Sequence, residues 1–436
     1  MHDRPAVPPA LSRAVPLLAL TLGLWAGNAL AAAEPVTIIK AARYVDVSKG
    51  RVVSPAYIVV TGDRITSVGT AADAATAAGA TLIDLGDETL LPGLIDAHTH
   101  LTSDARRGAY ESLGLSAVRK ALYGVAAARV TLDAGFTTVR NVGADGFGDV
   151  ALRDAIDAGE VIGPRMLVSG PALGITGGHC DENLLPADKP FKAEGVADGP
   201  WAARAKVREN VKYGVDVIKI CATGGVLSKG DQPGAEQYSL EEMQAIADEA
   251  HKLGRRVAAH AHGAQGIKDA LRAGIDTIEH ASLIDAEGIK LAKEKGAWLV
   301  MDIYDDDYIL QEGAKVGMLA ESIDKERKLG QTQRDNFRRA VEAGANLAFG
   351  TDAGVYPHGD NARQFRYMVE YGMTPMQAIQ AATLGSARAI AVDGSRGSLS
   401  EGKLADIIAV HGNPTNDVTL LTHVDFVMKG GQVVKH

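Results

Sequence analysis

Apolar and polar positions follow two different rhythms along this chain. Near both ends the period is two, as in TIIKAARYVDV, YIVVTGDRITSVG and ATLIDLG within residues 36–90 and ADIIAV and DFVMKGGQVV within 397–436. That is the spacing of strands with one buried face. Between them another unit recurs, a glycine followed at once by a short apolar, β-branched run. It appears in DAGFTTVRNV, KYGVDVIKI, KLGRRVAAHAH, RAGIDTIEH, EKGAWLVMDI and EAGANLAFGTD. Gly135, Gly214, Gly254, Gly274, Gly296 and Gly344 therefore read as left-handed helix stops, each with a strand directly behind it. Leu94 to His98, and Arg165 to Ser169 behind Gly163 and Pro164, make two further strands. The stretches 240–253, 264–273, 330–343 and 375–390 space their apolar residues at the helical period.

Eight strands alternating with helices predict an α/β fold of the closed (β/α)8 TIM-barrel type. The rival is an open doubly wound sheet. It fits less well, because no Gly-rich phosphate loop follows any strand and the polar strand ends are not gathered at one crevice. Neither terminal piece is long enough to bury a core alone, which predicts one small β-sandwich module built from both. The expected boundaries are 34–90 and 395–436 for the two parts of that module and 91–394 for the barrel.

Residues 1–33 follow neither rhythm. Arg4 and Arg13 precede an apolar run over 14–26, too short to span a bilayer as a mature helix, and Ala29, Ala31 and Ala33 supply an A-x-A cleavage pattern. A signal peptide is expected, hence a periplasmic or secreted mature protein without membrane contact; an N-terminal anchor is the alternative. The net charge of −9 comes without a run of Lys and Arg, so no nucleic acid partner is expected. Cys180 and Cys221 are expected as buried free thiols, a bridge between them being the alternative.

Candidate chemistry gathers at the strand ends, where a barrel of this type carries its active site. LIDAHTH places His98 and His100 two apart, on one side of a strand, and neutral imidazole is a common ligand of zinc-like cations. Lys219 lies in VIKICATGG, His260 in VAAHAHG, His280 in TIEHAS and Asp352 in AFGTDAG. A lone His on an apolar strand is as readily a hydrogen-bonded core residue, and a strand-end Lys often just reaches solvent. Ringed by histidines and cations, Lys219 would lose its proton and become able to add carbon dioxide as a carbamate. His262 shares the face of His260 and is placed to hydrogen-bond a carbonyl oxygen or its tetrahedral successor. His179 in TGGH and His358 in YPHGDN fall on predicted loops, where contact with substrate and plain solvent exposure are equal readings.

The order HxH, Lys, His, His, Asp resembles the ligand order of the binuclear amidohydrolase superfamily, from about residue 36 to the C-terminus. LLPGLIDAHTHL, TTVRNVG, GITGGH, IKICATGGVLS, VAAHAHG, IEHAS, GTDAG and ATLGSARAI are similar to the branch of Xaa-Pro dipeptidases, carboxypeptidases and ochratoxin-hydrolysing amidohydrolases. The resemblance implies two divalent cations, zinc above others, one on His98, His100 and Asp352, the second on His260 and His280, bridged by carbamylated Lys219. It further implies Asp352 as both ligand and general base, with Val226 and Leu227 against substrate, and a homo-oligomer, an octamer among the options. The expected reaction is hydrolysis of an amide whose amine product is an amino acid with a free carboxylate, as in N-acyl amino acids, dipeptides and ochratoxin A. Alternatives are a lactonase or organophosphate hydrolase on the same centre, a Xaa-Pro dipeptidase without ochratoxin activity, or a scaffold that has lost catalysis.

Overall fold

The computed structural model describes residues 34–70 and 79–436, so the expected leader lies outside the described residues. All six stop glycines take positive φ, between 65° and 91°, and behind each the chain turns into a buried strand. Some helices begin cleanly for a chemical reason. Ser239 accepts from the Glu242 amide while the Glu242 carboxylate takes the Ser239 amide, and Leu240–Lys252 follows. The expected helix over 330–343 is the C-terminal part of a longer one, Ala320–Glu342. The expected helix over 375–390 is interrupted by a wide turn at Ala381–Gly385.

Eight parallel strands run in order around a barrel: Leu94–Thr99, Phe136–Asn141, Arg165–Val168, Val217–Cys221, Arg256–Ala261, Thr277–His280, Trp298–Val300 and Leu347–Ala348. Two seams complete the circle. At one, the Ala97 amide donates to Phe349 O at 2.9 Å and His100 N to Ala353 O at 2.7 Å. At the other, the Leu173 amide donates to Lys219 O and the Cys221 amide to Leu173 O, both at 2.8 Å. Ladder bonds thus continue where regular strands have ended. The barrel interior and helix backs form one apolar cluster containing Phe136, Val139, Ile218, Ile278, Leu299 and Phe349, each buried, and each such side chain contributes roughly 1.5–3 kcal/mol.

The chain ends build two further sheets. One joins Arg64–Gly69, Ala56–Thr61, Val36–Ala41 and Thr81–Asp84. The other combines Arg43–Asp46, Arg51–Val53 and Glu88–Pro92 with Ile407–His411, Phe426–Lys429 and Gln432–Lys435 from the far end of the sequence. Ile408 pairs with Leu91 in antiparallel register, so the two ends meet in one sheet. A single buried cluster, including Ile39, Ile58, Ile65, Leu90, Ile407 and Phe426, draws on both sheets. Among the described residues no helix is long and apolar enough to cross a membrane.

The cysteine expectation is corrected here: Cys180 and Cys221 form a disulfide, with Cα atoms 5.9 Å apart. Their segments are separate in sequence, but the second seam pairs Leu173 with Ile220 and so carries the chain after the third strand across the end of the fourth.

Helices Asp305–Glu312 and Ala320–Glu342 pack with two carboxyl groups, Asp306 and Glu326, buried between them. Burial, then the charges of Asp306 and Asp305, push the Glu326 carboxyl far above its ordinary range. A raised carboxyl pKa in the folded state means that folded protein holds a proton the unfolded chain releases, so stability falls as pH rises from the ordinary glutamate range. Thermal melting should therefore show a Tm that declines from about pH 5 to about pH 9, and Glu326→Gln, which keeps the shape without the titration, should flatten that decline. At about pH 9 the variant should melt at least about 1 °C above the parent, the shift that ~1 kcal/mol produces in a chain of this size. A constant Tm difference at every pH would refute the assignment.

Candidate active site

Strand period and strand ends bring the candidate residues together. His98 and His100 leave the first strand on one side, Lys219 projects from the fourth, His260 and His262 from the fifth, His280 ends the sixth, and Asp352 follows the eighth. All of them line one cavity of about 420 Å³. His98 Nε2 and His100 Nε2 lie 3.2 and 3.1 Å from the same oxygen, Asp352 Oδ1. Ligand atoms fall within 4.8 Å of one another in three trios: His98, His100, Asp352; His260, His262, His280; and His280, Asp302, Asp352. His280 and Asp352 thus join two adjoining donor sets.

The backbone is bent to achieve this. His280, Ala281 and Asp352 sit at φ 65°, 51° and 53°, left-handed values for residues that carry a Cβ, at a cost of roughly 1 kcal/mol or more each. At Gly350 a Cβ would lie 2.2 Å from Val300 Cγ1 and 3.0 Å from His98 Cβ, so only glycine lets the eighth strand close on His98.

His98, His262 and His280 are each held by a second group. His98 Nδ1 donates to Glu279 Oε2 at 3.0 Å. Glu279 Oε1 accepts from Arg140 Nη2 at 2.8 Å, and Arg140 also reaches Ala97 O and Thr277 Oγ1. His280 Nδ1 donates to Asp302 Oδ2 at 2.8 Å. His262 Nδ1 is 2.7 Å from Ser282 Oγ, which donates to Gln333 Oε1, while Gln333 Nε2 donates to Asp302 O. Because Ser282 spends its proton on Gln333, it accepts from His262, and the proton of that ring is on Nδ1. His262 Nε2 therefore presents a lone pair to the cavity. This corrects the expectation of a donor to carbonyl oxygen: the neutral ring accepts, and donates only after taking up a proton.

Electrostatics follow from burial. Burial, then neighbouring imidazoles, hold His260 and His280 well below the ordinary histidine value. His262 is lowered to about 3 and His179 to about 4, again first by burial. Burial lowers Lys219 to about 8 against the opposing pull of Glu279 and Asp352. Asp352 resists burial and stays well below the ordinary carboxylate range because His98 and His100 face it. Burial and the Asp352 charge push Asp302 well above its range.

The result is a group of neutral imidazoles at His179, His260, His262 and His280, an anionic carboxylate and a lysine that gives up its proton easily. Asp352 Oδ1 is buried with no hydrogen-bond donor aligned on it. His98, with Nδ1 bound to Glu279, and His100 both turn Nε2 toward that same oxygen, so positive charge between ring and carboxylate, a proton or a cation, is what holds the three together. The residues fit divalent cations.

Other candidates divide. His179 lines the cavity, its ring stacked on His260 with centroids 4.0 Å apart, and Val226 and Leu227 line it too. His358 does not line it. Its Nε2 is 3.0 Å from Ser103 O, so it braces the turn that carries Ser103 to the cavity. Glu279, Arg140, Asp302 and Asp96 were missed by the sequence reading. Asp96 takes bonds from the His98 amide, Thr351 Oγ1 and Asn361 Nδ2, tying the first strand to the Asp352 turn. Their available signal was a charged residue inside an otherwise apolar strand, which must find a partner.

Comparisons with known proteins agree with this geometry. Residues 89–434 match the Amidohydrolase family. The ochratoxinase of Aspergillus niger is 35% identical over 369 residues, covering 79% of this chain and 75% of that protein. Its crystal structure superposes with a TM-score of 0.82 at 31% identity, covering 93% of this chain and 96% of that one. A Xaa-Pro dipeptidase solved with methionine bound in its active site has a TM-score of 0.88 at 38% identity, covering 92% of this chain and 100% of that one. A prolidase complexed with N-methylphosphonate-L-proline scores 0.84 at 31% identity, covering 92% and 100%. The chain belongs to the amidohydrolase family and is a hydrolase acting on C–N bonds.

Proposed function

We propose that this chain is a binuclear metal-dependent amidohydrolase that splits the amide of N-acyl amino acids or dipeptides bearing a free carboxylate. Ochratoxin A, cleaved to ochratoxin alpha and phenylalanine, belongs to that class, and the similarity to ochratoxinase and Xaa-Pro dipeptidase supports it. The observation that carries the reading is the pair of donor sets joined through His280 and Asp352. Alongside it we read the two outer sheets as one β-sandwich, residues 91–394 as the barrel, residues 1–33 as a signal peptide, and the mature protein as a periplasmic or secreted homo-oligomer.

His98, His100 and Asp352 would hold one cation and His260 and His280 the other, with zinc suiting this imidazole and carboxylate set. Lys219, near 8 through burial, would be neutral often enough to add carbon dioxide, and as a carbamate it would supply a further anionic ligand to them. When bound, the cations supply Lewis acidity, acidifying water and polarising the scissile carbonyl. Asp352, anionic at neutral pH, takes the proton of the attacking water and passes it to the leaving amine. His262, neutral with an accepting Nε2 toward the cavity, is placed to take a hydrogen bond from the substrate's amide N–H. His179, Val226 and Leu227 form the wall against which substrate rests.

Release of the amino acid from ochratoxin A and a panel of N-acyl amino acids and dipeptides by metal-loaded protein tests the substrate class; release from none sinks it. Asp352→Asn should lower kcat by about 10²–10⁴-fold, the usual share of a general base. The fold should survive, because asparagine tolerates the left-handed backbone at that position, and circular dichroism should be unchanged. Activity within about tenfold of the parent would remove Asp352 as the base. Lys219→Ala should reduce bound metal measured by elemental analysis, with short carboxylic acids restoring part of it. Unchanged metal content would strike the carbamate from the scheme.

A further inference from the structure

We propose that the Cys180–Cys221 disulfide is a positioning element of the active site: it holds His179 on His260 and fixes the wall that the main cavity shares with a second one. The inference rests on the hydrolase reading for its kinetic consequence and on geometry alone for the placement of His179.

Residues 169–199 join the third strand to helix Pro200–Lys212 without a regular helix or strand of their own. His179 and Cys180 sit in this connection, far from either end. Along the fourth strand Val217, Lys219 and Cys221 share one face by the period of two, so the inward position following Lys219 is spent on a covalent tie. Cys221 is 1% exposed, at the same rim as Lys219. The tie sets Cys180, and the residue before it, against the top of the strand.

Close packing around His179 shows how little room the tie leaves. A Cβ at Gly225 would fall 2.3 Å from the His179 ring, and one at Gly174 would fall 2.7 Å from Cys180 Cβ. The ring is thus bounded by the Gly225 backbone and by the stacked face of His260, with Nδ1 2.7 Å from Ser228 Oγ. Besides the bridge, the His179 amide donates to Gln237 Oε1 at 2.9 Å.

Cys180 also lines a second cavity of about 250 Å³, bounded further by Lys120, Asp145 and Glu194. His100, Gly143, Ala172 and Cys180 line both cavities. Cys180 of the bridge lies on their common wall. Opening the bridge would release His179 and loosen the wall between the two spaces.

A phosphine reductant opens the bridge with a balanced step: phosphorus gives two electrons to the S–S bond, and water supplies two protons to the thiolates and its oxygen to the phosphine oxide. Two measurements on the metal-loaded, full chain test the proposal. The first is the rate at which diethyl pyrocarbonate modifies His179, followed by peptide mass spectrometry. Reduction, or the double variant Cys180→Ser with Cys221→Ser, should raise that rate at least fivefold and reoxidation of the parent should restore it. An unchanged rate overturns the proposal, whatever substrate the enzyme takes. The second is steady-state hydrolysis of an N-acyl amino acid well below Tm. Loss of the bridge should raise KM at least fivefold with kcat within threefold and bound metal unchanged, and His179→Ala should add nothing further in the bridge-free background. A KM within twofold of the parent, multiplied effects of the two changes, or metal lost along with the bridge would each overturn it, the last assigning the bridge to Lys219 instead. Failure of the parent to hydrolyse the panel bears on the substrate class only, because the modification rate still decides the placement of His179.

Discussion

The site depends on a buried ionic chain that crosses the barrel. Arg140 of the second strand, Glu279 of the sixth and His98 of the first meet where Arg140 is 1% and Glu279 0% exposed. Charges so deep survive only when fully paired, and removing one partner of such a set costs about 3–5 kcal/mol because the other is left uncompensated. Arg140 answers this with bonds to Ala97 O, Thr277 Oγ1 and Glu279. Burial would raise the Glu279 carboxyl, yet Arg140, His98 and Lys219 hold it down at about 2. An anion that cannot take up a proton at working pH keeps the proton of His98 on Nδ1, and so keeps Nε2 turned to the centre. One arginine at the barrel core thereby sets the tautomer of a ligand at its mouth.

Around this axis the fold trades regularity for convergence. The last barrel strands are short, Trp298–Val300 and Leu347–Ala348, and the backbone bends through the left-handed region at His280, where the sixth strand ends, and at Asp352, past the eighth. Strain of this kind persists only where the surroundings over-determine it. Here Asp96 does so for the Asp352 turn, through Thr351 and Asn361, and Asp302 with Gln333 does so for His280 and His262. The polar groups behind the candidate ligands therefore carry two tasks, orienting rings and offsetting strain.

The glycine stops were legible because each obeys a local rule, left-handed backbone after a helix, and all six hold it. The convergence of His98, His100, Lys219, His260, His280 and Asp352 was legible because a barrel assigns every strand end to one mouth. What escaped the sequence was pairing. That Glu279 serves His98 and Arg140, or that Cys180 meets Cys221, depends on which strands become neighbours across the barrel and at what register, and no spacing encodes either. His358 failed for the same reason: a histidine on a loop is free to face inward or to brace a neighbouring turn, and Ser103 O decided it. The tautomer of His262 lay further still from sequence, set through Ser282 and Gln333 on another element.

Substrate selection follows from how charge is distributed over the cavity. The strand ends concentrate donors that suit cations, while Leu115, Tyr123, Ile309, Met318, Leu319 and Val355 give the lining an apolar share beside Arg107, Arg119 and Lys120. An aromatic or aliphatic acyl group gains from that apolar share, at about 25 cal/mol for each Å² withdrawn from water. Discrimination on such a surface is shallow, since a single methylene changes it only modestly. Selectivity must therefore come from the polar groups at fixed positions, which lose affinity steeply when a substrate leaves them unpaired. His179 and His262, which the proposed scheme leaves off the cations, commit their Nδ1 protons to Ser228 and Ser282, leaving each an accepting Nε2. On the proposed reading those two nitrogens would suit a secondary amide, with its N–H to donate, over an ester of the same shape.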